Sequence, residues 1–321
     1  MKPIGTVLTM LTLAVAMPVS AQSWPSKPVT FVSGYAAGSG FDVFARFLAD
    51  NLRERLGQPC LVEARPGAYG NIAAQYVAHA APDGYTVLLT ANSTHAANIH
   101  LYKNLGFDPI KDFTPVTTML SQGFVLLVNP AVMPVTSVGE LTDYIKARPG
   151  KLDYGASAVT ARIATELYLS LAGGLKVTYV PYKAATQAFN DLLAGQIHFM
   201  FTGAGSGVPQ ARAGKLRALA VTNAQRTAAA PEIPTMAESG LPGYEMRSWF
   251  AIFLPAGTPM AIAKKLAEFS NAVWASEKGR EFLRNLASDP FPGDPGSLAR
   301  LVENEIPKWG RIIRGAHIQP Q

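Results

Sequence analysis

The chain has 321 residues, of which 48% are hydrophobic and 16% are charged, with a formal net charge of +6 and a single cysteine, Cys60. This length and composition predict about two domains with substantial cores, and one cysteine excludes an internal disulfide. Basic residues stand singly or in pairs, whereas nucleic-acid-binding proteins cluster them on one surface. We therefore expect no nucleic-acid partner, and the mild positive charge suits an anionic small ligand.

Residues 1–21 have the layout of a cleavable secretory signal peptide. Lys2 supplies a positive start, residues 4–17 are apolar, and Val19-Ser20-Ala21 places small residues before the cut. The apolar run is shorter than the about 20 residues that a membrane-spanning helix needs, although an uncleaved anchor stays open as the alternative. We predict cleavage after Ala21 and a periplasmic location.

Strands and helices alternate through the first part of the remaining chain. Apolar strand-like runs occupy 29–33, 60–63 and 85–90, and amphipathic patterns at 41–56 and 72–80 predict helices between them. Because each helix connects one strand to the next, the pattern predicts a parallel sheet covered on both faces.

The same alternation repeats and ends in helices, which predicts an α/β fold with two lobes. Further strands are expected at 124–128, 152–156, 176–180, 197–201, 216–222 and 249–254, and further helices at 137–147, 161–172, 186–194, 259–275, 277–287 and 297–315. Pro307 should kink the last helix. Crossings near 119–124 and 222–226 give a first lobe of 22–122 plus 225–321 and a second lobe of 123–224.

The usual catalytic and cofactor motifs are missing from the sequence. It has no H-E-x-x-H, no G-x-S-x-G, no P-loop and no histidine pair at metal-ligand spacing. The Gly38-Ser39-Gly40 turn invites a dinucleotide interpretation, but Val43 replaces the third glycine of that motif. We expect no metal, no cofactor and no catalysis; a secreted hydrolase is the disfavoured alternative.

Small and polar loops follow three of the predicted strands and are the candidate ligand site. Helix N-termini and flexible loops at the carboxyl ends of strands bind anions through unpaired backbone N–H groups, although the glycines could simply form a tight turn. The candidate residues are Tyr35, Ala36, Ala37, Gly38, Ser39, Asn92, Ser93, Thr94, His95, Ser157 and Thr160.

These segments resemble the Bug (TctC) family of extracytoplasmic solute-binding proteins, which serve tripartite tricarboxylate transporters. The matching pieces include GYAAGSGFDVFAR at 34–46, EARPGAYGNI at 63–72, PDGYTVLL at 82–89, VPYKAATQAFNDLLAGQI at 180–197 and PEIPTMAESGLPGYE at 231–245. The resemblance implies a type II periplasmic-binding-protein fold with a small carboxylate held between the lobes by loops such as 35–39 and 91–95. It also implies delivery to membrane transporter subunits, and we expect a monomer; a receptor that signals to a membrane sensor is the alternative.

Two departures from the family pattern fall in the second lobe. Residues 156–162 read ASAVTAR, without the glycines of the usual S-A-G-x-G-T-x-x-H, and Arg162 stands where a histidine is common. Thr202 begins a stretch that often starts with an acidic residue or asparagine. Arg162 is predicted to pair with a distal carboxylate of the ligand, the alternative being a solvated helix residue. The identity of the ligand stays open.

Overall fold

A computed structural model describes residues 24–182, 185–227, 229–315 and 318–320. The proposed signal peptide therefore lies outside the described residues. The strands are β1 Val29–Ser33, β2 Cys60–Ala64, β3 Thr86–Ala91, β4 Phe113–Val128, β5 Asp153–Ala156, β6 Thr178–Pro181, β7 Phe199–Gly203, β8 Arg217–Val221, β9 Arg247–Pro255 and β10 Asp289–Pro290. The helices are α1 Gly40–Leu56, α2 Asn71–Ala78, α3 Val138–Lys146, α4 Val159–Leu171, α5 Ala185–Leu193, α6 Ala204–Arg212, α7 Met260–Ala275, α8 Glu277–Asn285 and α9 Pro295–Gly315.

The opening β1–α1–β2–α2–β3 unit is parallel, as expected. β1 pairs with both β2 and β3 in parallel register. Ser39 begins α1 by accepting the Asp42 N–H on its side chain, and Gly57 ends the helix in a left-handed conformation at φ 66°. The carboxyl ends of β1, β2 and β3 consequently meet along one edge of the sheet.

The long strand β4 belongs to two sheets. Residues 113–123 pair with β9, whereas residues 124–128 pair with β7 and β8. The first sheet runs β2-β1-β3-β9-β4, and the second continues from β4 through β7 and β5 to β6. The two-lobed α/β fold is thus confirmed, while the limits 22–122, 225–321 and 123–224 for the lobes stay a prediction.

A buried carboxylate fixes the last helix against the centre of the first sheet. Glu305 of α9 accepts the indole N–H of Trp309 at 2.9 Å and that of Trp249 in β9 at 3.4 Å, and it pairs with Lys308 at 2.9 Å. Both indoles are buried. The helix continues through Pro307.

The front half of β4 and the helix α6 were not expected from the sequence. The front half of β4 contains Pro115, where the pairing with β9 shifts register, so the strand tolerates a proline at an irregularity. α6 carries Gly205, Gly207 and Pro209, which read as helix breakers. A Cβ on Gly205 would lie 2.5 Å from the Leu286 carbonyl oxygen, so tight packing selects glycine there against helix propensity.

Among the described residues, no helix is both long enough and apolar enough to cross a membrane.

Candidate ligand site

Three loops of the first lobe converge at the carboxyl ends of β1, β2 and β3. The Tyr35 and Ser93 hydroxyls are 3.0 Å apart, and the Thr94 hydroxyl donates to the Tyr69 carbonyl oxygen at 2.9 Å. Gly34 and Gly70 pack so closely that a Cβ on Gly34 would lie 2.5 Å from the Gly70 Cα. The contacts bring the predicted loops 35–39 and 92–95 together with the loop that follows β2.

The N-terminus of α1 is already occupied by the protein's own carboxylate. Asp42 is buried, accepts the Gly38 N–H at 2.8 Å and pairs with Arg46 at 2.8 Å. Burial raises the pKa of Asp42, but the hydrogen bonds from Arg46 and Gly38 and the charge of Arg46 outweigh it, so the pKa is lowered overall. The Gly38 amide is therefore not a free donor for a ligand.

Ala36 and Ala37 form the open part of the first loop. Both are exposed, whereas the N–H groups of Tyr35 and Ser39 have acceptors within the loop region. Across the described residues, no acceptor is found for the amides of Ala36 and Ala37. Their N–H groups are thus unpaired in this part of the chain, and unpaired backbone N–H groups of this kind are able to bind anions.

Tyr35, which precedes Ala36 in the chain, offers a neutral hydroxyl that lies against Ser93. Its ring stacks on Phe41 with centroids 4.3 Å apart. Burial raises the pKa of Tyr35, while hydrogen bonds to Ser93 and Thr94 lower it less. The phenol stays protonated at neutral pH, so the Tyr35–Ser93 pair can donate to a carboxylate.

The segment after β3 is wound as a π-helical turn over Ser93–Ala97. Asn92 donates its side-chain amide to the Arg247 carbonyl oxygen at 3.1 Å, while its own Oδ1 is buried without a partner among the described residues. Irregular helical turns of this kind are frequent at functional sites. The turn positions Ser93 and Thr94 toward the first two loops.

His95 lies in the core, not at the surface of its loop. Its ring is fully buried and stacks on Phe253 at 3.9 Å, with the edge of Phe113 at 4.8 Å. Burial lowers the pKa of His95 to about 3, and within the described chain neither ring nitrogen has a hydrogen-bond partner. We therefore do not retain the His95 side chain as a ligand contact.

In the second lobe, Ser157 and Thr160 flank the start of α4 and are half-buried. Ala158 precedes the helix without a side-chain cap, and the first turn carries no acidic residue. The N-terminus of α4 therefore differs from that of α1, because the first turn of α4 has no carboxylate that could accept its N–H groups.

Arg162, in the first turn of α4, lies over the ring of Tyr179, with its Cζ 4.5 Å from the ring centroid. Its Nε is 4.0 Å from Glu166 Oε1, too far for a hydrogen bond, and is buried without a partner in the part of the chain that the structure describes. Glu166 Oε1 instead accepts the Tyr154 hydroxyl at 2.5 Å. The guanidinium therefore retains an unused donor.

Thr202 lies near the carboxyl end of β7, which runs parallel to β5, the strand that precedes Ser157. It is buried near the end of β7, and its hydroxyl is 3.2 Å from that of Ser206. Because the carboxyl ends of parallel strands meet at one edge of the sheet, Thr202 and Ser157 share that edge.

The sequence reasoning missed Tyr69. The loop after β2 has positive φ at Gly67, Ala68, Tyr69 and Gly70, and Thr94 and Asn98 both donate to the Tyr69 carbonyl oxygen. Tyr69 shares a cavity of about 180 Å³ with residues of both lobes, which are Leu101, Val159, Arg162, Tyr179, Ile318 and Gln319. The glycines on either side of Tyr69 were the available signal in the sequence.

In the described residues, no group of three or more His, Cys, Asp or Glu side chains is arranged to hold a metal ion.

The chain is similar to several known proteins. The profile described as "TctC: Tripartite tricarboxylate transporter family receptor" matches residues 44–318. A relative from Bordetella pertussis, protein BugT, is 32% identical over 306 residues, covering 94% of this chain and 93% of its own. The solved structure "R. palustris Rpa4515 with adipate" has a TM-score of 0.85 and 38% identity, covering 93% of this chain and 100% of its own. MatC from Rhodopseudomonas palustris with bound malate has a TM-score of 0.78 and 31% identity, covering 90% of this chain and 100% of its own.

The chain belongs to the TctC family of tripartite tricarboxylate transporter receptors. It is a solute-binding receptor of the Bug type, as the resemblance implied, and two of the similar solved structures carry adipate and malate.

Proposed function

We propose that this protein is a periplasmic, monomeric receptor that captures one small organic acid between its lobes and delivers it to the membrane subunits of a tripartite tricarboxylate-type transporter. The observation that carries the proposal is the convergence of free backbone donors and neutral hydroxyls. The amides of Ala36 and Ala37 stand open beside the Tyr35–Ser93 pair. A carboxylate has four lone-pair positions that such donors can fill.

We further propose that the protein catalyses no reaction. Cys60 is the single thiol, and burial raises its pKa to about 11, so little thiolate exists at neutral pH. The imidazole of His95 is buried in the core, away from any partner in the described residues. Neither group supports nucleophilic or general-base chemistry on a ligand in this site.

A thermal-shift screen followed by calorimetric titration tests the proposal. The panel holds aliphatic and aromatic mono- and dicarboxylates, amino acids, a neutral sugar and a divalent metal. A true ligand at about 100 times its dissociation constant stabilises the fold by about 2.7 kcal/mol. We expect at least one carboxylate to raise the Tm by several degrees with a stoichiometry of one. A shift with the sugar or metal but with no carboxylate would overturn the assignment.

The substitution Tyr35→Phe tests whether the Tyr35 hydroxyl binds a carboxylate of the ligand. It removes the hydroxyl that faces Ser93 and keeps the ring that stacks on Phe41. We expect affinity for the carboxylate found in the screen to fall about tenfold. Tyr85→Phe is the matched control, because the Tyr85 hydroxyl bonds to Ser26 on the exposed surface. Unchanged affinity in folded Tyr35→Phe would remove this hydroxyl from the site.

A further inference from the structure

The outer face of α2 lacks the charges that a solvent-exposed helix normally carries. Its sequence, NIAAQYVA, contains no Asp, Glu, Lys or Arg, whereas that of α1 contains six such residues. Ala73, Ala74 and Val77 pack in the core, and the opposite side of the helix presents Ile72 and Tyr76, which are 48% and 42% exposed. An uncharged apolar face on a surface helix indicates a region that another molecule covers.

A groove of about 840 Å³, here called the α2 groove, runs beside this face. Ile72 and Tyr76 of α2 line it together with Gly106 of the loop that precedes β4, and its described lining holds no Asp, Glu, Lys or Arg. The side-chain amide of Gln75 donates to the Leu105 carbonyl oxygen at 2.6 Å. This bond ties the loop to the helix, so the groove is already formed in the free protein and suits the side chains of a partner helix.

Arg65 stands at the edge of the groove with a donor to spare. Its guanidinium lies over the Tyr76 ring, with the Cζ 3.6 Å from the ring centroid, and pairs with Glu63 at 2.6 Å. Its Nε is buried and has no hydrogen-bond partner among the described residues. Because a guanidinium has five N–H donors, Arg65 has the capacity to bind a second carboxylate, brought by a partner.

A second groove of about 420 Å³ shares Gly106 and extends the surface. Ile99, which is exposed, and Lys103 line it. The carboxylate of Asp108 in this lining pairs with Lys111 at 3.5 Å and accepts two backbone N–H groups, whereas Lys103 has no carboxylate partner in the described chain. The charge that is left uncompensated along the two grooves is therefore positive.

The α2 groove extends away from the candidate ligand site. Thr86, which lines the groove, is the first residue of β3, whereas the candidate loop 92–95 follows Ala91, the last residue of that strand. A partner in the groove therefore leaves the ligand site unoccupied.

We propose that the α2 groove binds an amphipathic helix of a partner protein. The apolar residues of that helix, spaced at i, i+4 and i+7, cover Ile72, Tyr76 and Ile99, and a carboxylate at its flank meets Arg65. The uncharged lining selects an apolar seam, and the uncompensated cations select acidic flanks. The proposal is independent of the proposed function, because no residue of the candidate ligand site takes part in it.

Selection from a phage-displayed library of helix-forming peptides, about 16 residues long, tests the proposal. The immobilised wild-type protein is the bait, and peptides that also bind Ile72→Glu are removed in every round. We expect the enriched peptides to share an apolar seam at helical spacing and Asp or Glu at its flank. In fluorescence polarisation they should bind the wild-type protein about tenfold or more tightly than Ile72→Glu. A library that yields no such peptides would overturn the proposal.

Further variants assign the binding to the groove. Tyr76→Ala should weaken the enriched peptides, and Arg65→Gln should weaken only those with acidic flanks. Leu171→Glu is the matched control, since Leu171 is an exposed apolar residue at the end of α4 in the second sheet's layer, and it should bind the peptides as the wild type does. Peptides that bind folded Tyr76→Ala and Arg65→Gln with full affinity would contradict the assignment.

Two other occupants of the face are distinguished by sedimentation. Binding of the wild-type protein, but not of Ile72→Glu, to phosphatidylglycerol vesicles would assign the face to a lipid surface. A dimer that forms in the wild type and is lost in Ile72→Glu would assign it to a second copy of the chain. Either result would overturn the proposal of a partner helix.

Discussion

The side-chain oxygen of Asn223 lies against the Cα of Gly123, so close that a Cβ on Gly123 would come within 1.5 Å of it. Gly123 is the last residue of β4 to pair with β9, and Phe124 begins the pairing with β7. Asn223 is buried, and its Oδ1 has no hydrogen-bond partner among the described residues. At the position where β4 passes from the first sheet to the second, the space therefore admits glycine and no larger residue.

Gly123→Ala should destabilise the protein by about 1–3 kcal/mol, because Asn223 or the strand must move to admit the methyl group. Chemical denaturation with a Tm measurement checks this. Gly139→Ala is the control, since the nearest atom to a Cβ at that helical position is the Ser137 hydroxyl at 3.8 Å, and alanine should be neutral or stabilising there. Asn223→Gly in the Gly123→Ala background should restore part of the loss. Additive effects of the two changes would contradict direct contact.

Asp42→Asn should lower stability at neutral pH by about 1–3 kcal/mol, because the buried carboxylate bonds both Gly38 and Arg46. The pKa of Asp42 is lowered in the folded protein, so the ionised carboxylate stabilises the fold fully at pH values above the ordinary carboxyl pKa. This stabilisation is lost as the pH falls through the lowered pKa. Urea titrations at several pH values should show a shallower acid dependence in the variant. Asp50→Asn, on the exposed face of α1, should leave both stability and slope unchanged.

His95→Leu should flatten part of the acid dependence of stability. The unfolded imidazole has its ordinary pKa of 6.5, whereas burial lowers the pKa of His95 to about 3 in the folded protein. Between these two pKa values the unfolded chain binds more protons than the folded chain, so the free energy of unfolding decreases as the pH falls. Leucine removes this proton uptake and leaves no unpaired ring nitrogen, so stability near pH 4 should rise relative to wild type. The same slope in wild type and variant would show that His95 is protonated in the fold.

Glu305→Ala should cost about 2 kcal/mol or more, because it leaves the buried indole N–H groups of Trp249 and Trp309 without an acceptor. Thermal unfolding followed by tryptophan fluorescence measures the loss. Glu303→Ala is the control from the same helix, since Glu303 is exposed. A Tm for Glu305→Ala that matches this control would mean that the carboxylate does not anchor α9.

Local pattern was enough to predict most of the fold. Apolar spacing and capping residues are enough to define the strands at 29–33 and 60–63 and the helix after Gly38. These signals lie within each segment and need no distant partner. α6 could not be predicted, because its glycines are favourable only when Leu286 packs against them. The same holds for the front half of β4, whose partner β9 is more than a hundred residues away in the chain.

The candidate site was predictable only as a set of loops. Strand ends and small residues marked 35–39 and 92–95, but the direction of each side chain depends on packing. His95 turns into the core onto Phe253, and Asp42 turns back onto the Gly38 amide. Tyr69 was not predicted, because the hydrogen bonds to its carbonyl oxygen come from Thr94 and Asn98, which are distant in sequence.

The route of β4 makes residues 124–246 an insertion between two neighbouring strands of the first sheet. Gly123, where the chain leaves the first sheet, and Arg247, where it returns, are register partners on neighbouring strands. A segment whose two ends lie at neighbouring positions of the first sheet can be exchanged between relatives without lengthening any connection in the rest of the protein. Grafting residues 124–246 from a relative of different preference onto this first lobe should replace Arg162 and Tyr179 as a unit. The segment 124–246 could thus be exchanged by recombination while the first sheet, with the proposed carboxylate site at 35–39 and 92–95, stays unchanged.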